Sequence, residues 1–241
     1  MPHQNTIAVI LAAGKGTRMH SDKPKVLQSL LGVSMLGLVA HAARGVAAQV
    51  LTVVGHGEDQ VRKAHPELAD GFVLQQQQLG TGHALQMAWE RVRASGASHC
   101  LVINGDTPLL TPEALEGLLE SARLGSDLAL LSAVLPQAGV YGRVLRGKVG
   151  EVTGIVEAKD YDPDRDGPDT GEVNTGLFCL NVAAMENFLF SITDANRAGE
   201  LYITDLVALA VEAGLRVHAQ RCGDAARLMG VNSPLELAQA E

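Results

Sequence analysis

Residues Ile7 to Leu27 read IAVILAAGKGTRMHSDKPKVL, which joins a short apolar run to a basic turn. The run Ile7 to Leu11 predicts a buried strand that breaks abruptly into the turn Ala12 to Arg18. Small residues and two glycines let the backbone N–H groups of this turn approach a ligand closely. Four cations lie within eleven positions here: Lys15, Arg18, Lys23 and Lys25. In a chain of net charge -8, this cluster predicts a loop that binds a small polyphosphate.

Two better-known phosphate loops are excluded by the residues at their fixed positions. A dinucleotide-binding turn needs G-x-G-x-x-G and an acidic residue about twenty positions later. Met19 takes the third glycine position, and no Asp or Glu occurs between Asp22 and Glu58. A Walker loop needs G-x-x-x-x-G-K-[ST]. Val9 stands at its first glycine, and Gly16 stands where Ser or Thr is required.

Composition indicates a globular protein with a small anionic ligand. The 241 residues, 46% of them hydrophobic, can bury a sizeable core, and we expect one domain or one domain with a small lobe. The net charge of -8 argues against a nucleic-acid surface. Cys100, Cys179 and Cys222 match neither a disulfide framework nor a zinc motif. No apolar run approaches the ~20 residues of a membrane span. We therefore expect a cytoplasmic protein with neither nucleic acid nor membrane as a partner.

The first half of the chain alternates apolar runs with helical patterns, which predicts β-α units around a mainly parallel sheet. After the first strand, the predicted strands are Val50 to Val54, Phe72 to Leu74 and Cys100 to Ile103. Three apolar helical faces are predicted: Leu36, Val39, Ala40 and Ala43; Leu85, Ala88, Trp89 and Val92; and Leu115, Leu118, Leu119 and Ala122. Thr111 is the predicted N-cap of the last of these helices, and a short polar helix is predicted from Gly57. Ligands of open α/β sheets bind outside the carboxyl ends of the strands, so the basic turn and Asp106 are expected at one edge.

The pattern changes after Asp127. The expected strands are Leu128 to Leu135, then Gly142 to Leu145 and Val152 to Glu157, which predict antiparallel additions, and finally Val217 to Arg221. The acidic, turn-rich segment Tyr161 to Glu172 is expected to be a mobile surface loop whose charge is only solvated. Helical patterns return at Ala183 to Leu189 and at Leu206 to Ala213, and a last helix is expected to start beside Asn232, where Ser233 to Glu236 form a capping box.

Two polar groups beside these elements suit a nucleotide. Asp106 follows a strand and the turn Asn104-Gly105, so its carboxylate is a candidate Mg²⁺ ligand, and a turn-stabilising role stays open. Gln75 to Gln78 precede a glycine-bracketed helix start, Gly80 to Ala84, and a glutamine amide can pair with a pyrimidine edge. His83 is expected to make local hydrogen bonds. No Ser, Cys or His stands in a recognisable nucleophile context.

In order along the chain, nine blocks closely resemble the uridylyltransferase domain of bacterial N-acetylglucosamine-1-phosphate uridylyltransferases. They are LAAGKGTRM with KPKVL, QLGTGHA, NGDTPLL, YGRV, VEAKD, EVNTG, YITD and GVNSPLEL. The resemblance covers essentially the whole chain. It implies a Rossmann-like α/β nucleotidyltransferase fold, with a mostly parallel mixed sheet, helices on both faces and a small antiparallel sugar-binding extension. It also implies transfer of a uridylyl group from UTP to N-acetylglucosamine 1-phosphate, with Mg²⁺ and release of pyrophosphate.

The same resemblance implies roles for individual residues. Nucleotide contacts fall to Leu11, Ala12, Ala13, Gly14, Gln75, Gly80 and Thr81, with Gln75 at the uracil edge. Catalytic phosphate contacts fall to Arg18 and Lys25. The residues implied to contact the sugar are Gly142, Glu157, Asn174, Tyr202 and Thr204. The resemblance implies Asp106 and Asn232 as Mg²⁺ ligands, and Asn232 is also expected to contact the substrate.

Two features depart from the family pattern. Asn104 stands where relatives often have Tyr or Ser, which bears on sugar or ribose contacts. The family's usual protein continues into a left-handed β-helix that acetylates glucosamine 1-phosphate, and these residues contain no hexapeptide repeat, so we expect 1–241 to be the nucleotidyltransferase domain alone. A homo-oligomer stays open. The alternatives are a related nucleotidyltransferase that uses CTP or GTP and a catalytically silent nucleotide-sugar binding module.

Overall fold

The computed structural model describes residues 2–241 and is built around a nine-stranded sheet. The strands are β1 (His3–Leu11), β2 (Ser29–Leu30), β3 (Val33–Ser34), β4 (Ala47–Val54), β5 (Phe72–Leu74), β6 (His99–Asn104), β7 (Leu128–Val134), β8 (Arg143–Arg146), β9 (Val152–Val156), β10 (Glu172–Asn181) and β11 (Val217–Arg221). Strands β2 and β3 pair only with each other, as a small hairpin. The sequence analysis did not predict β10, although it is the longest strand.

Helices and short 3₁₀ turns connect these strands. The helices are α1 (Met35–Val46), α2 (Glu58–Ala64), α3 (Thr81–Ala94), α4 (Pro112–Arg123), α5 (Pro163–Asp166), α6 (Val182–Leu189), α7 (Asp205–Glu212) and α8 (Pro234–Ala240). Thr111 precedes α4 as predicted, but its side chain caps no N–H group of that helix. Within residues 2–241, no helix has both the length and the apolar character needed to cross a membrane.

The strand order β11-β7-β10-β6-β1-β4-β5 makes the sheet mixed and mostly parallel. Strand β1 runs parallel to β4 and β6, and β4 is parallel to β5, while β10 runs antiparallel to β6 and β7. The chain leaves β1 toward β4 and later crosses back to β6 on its other side. Leu11 and Asn104 are register partners at the carboxyl ends of β1 and β6. An open α/β sheet binds its ligands at such a reversal of strand order, so the fold places the basic turn and Asp106 at one crevice.

Two buried layers lie on opposite faces of the sheet. One layer packs Leu85 and Trp89 of α3 together with α6 and α7, and the other packs Leu36 of α1 and Leu118 of α4. Alternate residues of β1 supply both layers, since Ile7 and Val9 face one and Ala8 and Ile10 face the other. This two-sided burial explains why β1 reads as a continuous apolar run. The expectation of helices on both faces is confirmed.

The antiparallel extension consists of β8, β9 and the start of β10. The segment Tyr161 to Glu172, which leads into this extension, was expected to be a solvated loop, and this expectation is wrong in part. The segment contains α5 and ends in Glu172, which is 1% exposed. The Glu172 carboxylate accepts hydrogen bonds from Ser132 Oγ at 2.7 Å, from Arg146 Nη2 at 2.6 Å and from Arg221 Nη2 at 2.6 Å. One buried charge on β10 thus links side chains of β7, β8 and β11.

Candidate active site

The turn after β1 leaves its backbone open toward a cleft of about 570 Å³. A side chain added at Gly14 would meet nothing within 4 Å, so this part of the turn is bare. Gly16 has a φ of 60°, which favours glycine, and a Cβ there would lie 2.5 Å from the Cβ of Lys25. The second glycine therefore allows the stem of Lys25 to pass beneath the turn. Leu11, Ala12, Ala13 and Gly14 all line the cleft, as the family resemblance implies.

Lys25 links the two residues that the sequence marks as Mg²⁺ ligands. Its Nζ forms an ion pair with Asp106 Oδ2 and donates a hydrogen bond to Asn232 Oδ1 at 3.0 Å. Arg18 Nη2 donates to the same Asn232 oxygen at 3.0 Å. The Asn232 amide is oriented by its own N–H group, because Nδ2 donates to the Gly230 carbonyl at 3.0 Å. Lys25 and Asn232, which lie 207 positions apart in the chain, are therefore in direct contact.

The C-terminal segment returns to the crevice through a short backbone contact. Val231 N–H donates to the Asp106 carbonyl at 2.8 Å, which sets Asn232 beside the end of β6. Ser233 Oγ then accepts from Glu236 N–H at 3.2 Å, as the predicted capping box requires. In a capping box the Glu236 carboxylate would accept from Ser233 N–H. Here it accepts instead from the preceding residue, Asn232, whose backbone nitrogen lies at 2.5 Å. The start of α8 thus holds Asn232 from both sides.

Gln75 is the buried member of the four-glutamine run. It is 2% exposed, whereas Gln76 and Gln77 are exposed and Gln78 is half-buried at the same cleft. Gln75 Nε2 donates to the Gly80 carbonyl at 3.1 Å and lies 3.0 Å from His83 Nδ1. With the amide nitrogen occupied in this way, the side-chain oxygen is the atom left for a ligand. His83 makes the local hydrogen bond that the sequence predicts.

A second cavity of about 220 Å³ adjoins the first and shares Thr81, Asn104 and Asp106 with it. Its lining contains four of the five residues assigned to the sugar: Gly142, Glu157, Asn174 and Thr204. Arg18 of the basic turn and Asn232 of the C-terminal segment also line it. The Gly142 carbonyl accepts from Asn174 N–H at 2.8 Å, which joins the antiparallel extension to β10 at the cavity wall. Tyr202 is not among the described residues that line either cavity.

One segment, Leu201 to Thr204, connects the two cavities. Leu201 N–H donates to the Leu79 carbonyl at 2.8 Å, and the Leu201 carbonyl accepts from Gly82 N–H at 2.7 Å. Gly80 needs its φ of 113° and its missing side chain here, because a Cβ would lie 2.5 Å from the Leu201 oxygen. At the other end of the segment, Thr204 Oγ1 donates to Glu157 Oε1 at 2.9 Å. The walls of the two cavities are therefore hydrogen-bonded through one short segment.

Acidic groups surround Glu157, which lines the second cavity. Burial raises the pKa of Glu157. The nearby charges of Asp160 and Glu200 raise it further, and the hydrogen bond from Thr204 opposes the rise. Burial also raises the pKa of Asp205 to about 6, with further contributions from Glu157 and Asp160. Burial likewise raises the pKa of Tyr202 to about 12 beside the same acids. Glu157 in the lining of the second cavity therefore has acidic neighbours, whereas Arg18 and Lys25 lie beside Asn232 and Asp106, where the two cavities meet.

The donors at the junction fit a magnesium ion. Asp106 offers a carboxylate and Asn232 an amide carbonyl, and both oxygens already face the same cation. Mg²⁺ on a nucleotide usually takes one or two protein oxygens and completes its shell with phosphate and water. Across residues 2–241, no cluster of three or more His, Cys, Asp or Glu is arranged to hold a metal. A two-ligand site that shares its metal with phosphate is the arrangement that these residues fit.

Comparison with known proteins identifies the family. A sequence model of the MobA-like NTP transferase domain matches residues 8–160. The chain belongs to this family. The match spans the basic turn, Gln75, Asp106 and Glu157, so most of the candidate site lies within the family domain. Asn174, Thr204 and Asn232 lie beyond the matched residues.

Curated relatives of this NTP transferase are bifunctional proteins. The chain is 52% identical over 236 residues to the bifunctional protein GlmU of Oleidesulfovibrio alaskensis, which covers 97% of the chain and 51% of the relative. It is 42% identical over 242 residues to the GlmU of Neisseria meningitidis serogroup C, covering 100% and 52%. The chain thus spans about half the length of these relatives. The family resemblance is confirmed.

A solved structure confirms the fold. A crystal structure from Bacillus anthracis, described as a glucose-1-phosphate thymidylyltransferase in complex with sucrose, superposes with a TM-score of 0.72. The alignment covers 98% of this chain and 93% of that one at 18% sequence identity. The Rossmann-like nucleotidyltransferase fold predicted for this NTP transferase is therefore confirmed.

Sequence reasoning missed several residues at the site. Asn104 lines both cavities, although from the sequence it was interpreted only as a turn residue and as a departure from the family pattern. Its side chain lies so close to Gly176 that a Cβ there would overlap its Nδ2. Tyr141 also lines the second cavity, and Glu200 the first. Gly176 lies inside β10, directly before its apolar run, and a glycine in the interior of a strand is the signal that could have indicated this close contact.

Proposed function

We propose that this NTP transferase joins UTP to N-acetylglucosamine 1-phosphate, giving UDP-N-acetylglucosamine and pyrophosphate. The observation that carries the proposal is the meeting of two cavities at Asp106, with Lys25 and Arg18 at their border. A transferase that joins two phosphorylated substrates needs one site for each, with cations where the phosphates meet.

The first cavity suits the nucleotide. Its bare turn offers backbone N–H groups and cations to a triphosphate, and its size of about 570 Å³ accommodates a mononucleotide. The oxygen of the Gln75 amide is free to accept from a pyrimidine N–H group, and the surrounding hydrogen bonds to Gly80 and His83 hold it in place. A buried group that is fixed in this way discriminates between bases, because a base without the matching donor leaves it unpaired.

The second cavity suits a sugar 1-phosphate. Glu157, Asn174 and Thr204 offer donors and acceptors for sugar hydroxyl and amide groups, and Arg18 lies at the end nearest the first cavity. The acidic neighbours of Glu157 disfavour a phosphate beside it, whereas Arg18 and Lys25 favour one near Asp106 and Asn232. A sugar 1-phosphate would therefore enter with its phosphate toward the nucleotide. We propose N-acetylglucosamine as this sugar.

The reaction needs no general base from the protein. A sugar phosphate is largely ionised at neutral pH, so one of its oxygens can attack the α-phosphorus of UTP in line with the departing pyrophosphate. Lys25 and Arg18 stabilise the negative charge that develops on the phosphates, and the bare turn orients them. Asp106 and Asn232 would hold Mg²⁺, which supplies charge neutralisation to the triphosphate when bound. Catalysis by position and charge is in keeping with the lack of a nucleophile motif in the sequence.

One assay tests the proposal. Pyrophosphate release is measured with UTP, CTP, GTP and ATP, each against a panel of sugar 1-phosphates that includes the N-acetylated and free amino sugars. We expect the highest kcat/KM for UTP with N-acetylglucosamine 1-phosphate. A preference for CTP or GTP would favour a related nucleotidyltransferase instead. Binding of UDP-N-acetylglucosamine without turnover at any Mg²⁺ concentration would favour a silent binding module.

We also propose a cytoplasmic location. In residues 2–241 all three cysteines are free thiols, two of them buried, as a reducing compartment allows.

A further inference from the structure

The Lys25 ammonium stands between the two oxygens that would bind the metal. It contacts Asp106 Oδ2 and Asn232 Oδ1, and Arg18 adds a second donor to the Asn232 oxygen. The side chains of Lys25 and Asp106 are only 14% and 17% exposed. A half-buried carboxylate without a partner is costly, so the ion pair with Lys25 stabilises Asp106.

A metal ion and this ammonium cannot share the position. Mg²⁺ binds its oxygens at about 2.0 to 2.1 Å and draws both ligands toward itself. An ammonium left beside it would face strong repulsion at short range. Lysine can move its charge, because its flexible four-carbon stem rotates while its base stays fixed. In this chain the base of the stem packs under Gly16, so the distal part of Lys25 is what moves.

We propose that Lys25 closes the metal position of the ligand-free protein and vacates it for the phosphates only when the metal enters with the nucleotide. This inference rests on the proposed function, since it takes Asp106 and Asn232 as the metal ligands. Its consequence is that the free protein binds divalent ions weakly. The triphosphate opens the position by offering Lys25 an alternative anion, so nucleotide and metal assist each other's binding.

The test measures metal affinity without turnover. Mn²⁺ binding to the full chain is followed by electron paramagnetic resonance, without nucleotide and then with UTP. Lys25→Met keeps an unbranched stem and removes the ammonium, and Lys25→Ala serves as a second variant that removes it. Lys23→Met is the matched control, since Lys23 is an exposed cation of the same stretch whose Nζ bonds to none of residues 2–241. Circular dichroism checks that each variant folds.

We expect both Lys25 variants to bind Mn²⁺ roughly tenfold more tightly than the wild type without nucleotide, because a competing charge is gone. Lys23→Met should stay within about twofold of the wild type, and UTP should narrow the gap between wild type and Lys25→Met. Equal affinity of wild type and Lys25→Met, with both weakened by Asp106→Asn, would overturn the closure and leave the metal site intact. Mn²⁺ binding that is insensitive to Asp106→Asn, with and without UTP, would remove the proposed metal site and this inference with it.

Discussion

Arg18 and Lys25 differ from the other cations of the basic turn in what they touch. Both donate to Asn232 Oδ1 at 3.0 Å, and Lys25 is half-buried, whereas Arg18 is exposed, as Lys15 and Lys23 are. A cation that is held in place before the phosphates arrive needs little reorganisation when charge develops on them. The family resemblance implies catalytic roles for these two of the four cations, and we propose those roles on the strength of this shared contact.

Arg18→Ala and Lys25→Ala are each expected to lower kcat by ~100-fold or more with the fold intact, because one aimed electrostatic donor is worth a few kcal/mol in the transition state. Pyrophosphate release at saturating substrates measures the loss. Lys23→Ala is the control and should stay near the wild-type rate. Wild-type rates in both Arg18→Ala and Lys25→Ala would falsify the assigned roles.

Gln75→Glu is expected to damage the use of UTP more than Gln76→Glu or Gln77→Glu does. The structure supplies the reason, since Gln75 Nε2 donates to the Gly80 carbonyl and a carboxylate oxygen there would face that carbonyl unpaired. Such a loss costs ~1 to 3 kcal/mol, which corresponds to roughly 5- to 150-fold in kcat/KM. Steady-state kinetics with UTP measures it. Equal sensitivity at all three positions would contradict the assignment.

At the scale of elements, Glu172 joins the antiparallel extension to the sheet. Burial alone raises its pKa, but the hydrogen bonds from Arg146, Arg221 and Ser132 outweigh burial and lower the pKa from 4.5 to about 2. A depressed pKa means that the folded state favours the ionised form. The stabilisation is therefore complete above pH ~4.5 and is lost as the pH falls toward about 2.

Glu172→Gln is expected to destabilise the protein at pH 7 by about 2 kcal/mol, since the amide keeps a partner for Ser132 but leaves two guanidinium groups without their counter-charge. Urea unfolding at pH 7 and at pH 3 measures the change, and the difference from wild type should shrink at the lower pH. Glu120→Gln is the control, because its ion pair with Arg123 is exposed and 4.0 Å long. An unchanged midpoint for Glu172→Gln would show that the ion pairs contribute nothing.

The segment before α8 closes the site against the end of β6. Val231 bonds to the Asp106 carbonyl, and Asn232 bonds to Arg18 and Lys25, so the end of the described chain completes a wall that begins at β1.

A chain that ends at Val231 is expected to lose turnover, because both basic side chains lose their shared oxygen and one candidate metal ligand is gone. A chain that ends at Glu236 is the matched control, since it keeps Asn232, Ser233 and the Glu236 carboxylate that accepts from Asn232 N–H. Pyrophosphate release compares the two, and circular dichroism confirms the fold. An active chain ending at Val231 would contradict the role of Asn232.

The sequence by itself determined the alternation of strands and helices, the bare basic turn and the positions of Asp106 and Gln75. These features are local, since they depend on apolar periodicity and on glycine within short windows. The order of family motifs determined the fold class. It also pointed to the residues of the second cavity, where Tyr202 is the assigned residue that the lining does not include.

Only the tertiary structure decided how these pieces meet. The placement of β10 between β6 and β7 depends on long-range pairing that no local pattern encodes. Glu172 reads as part of an acidic loop, and it is buried because Arg146 and Arg221 converge on it from other strands. The contact of Lys25 with Asp106 and Asn232 likewise joins three separate segments, and electrostatic pairing across such distances is fixed by the fold rather than by sequence spacing.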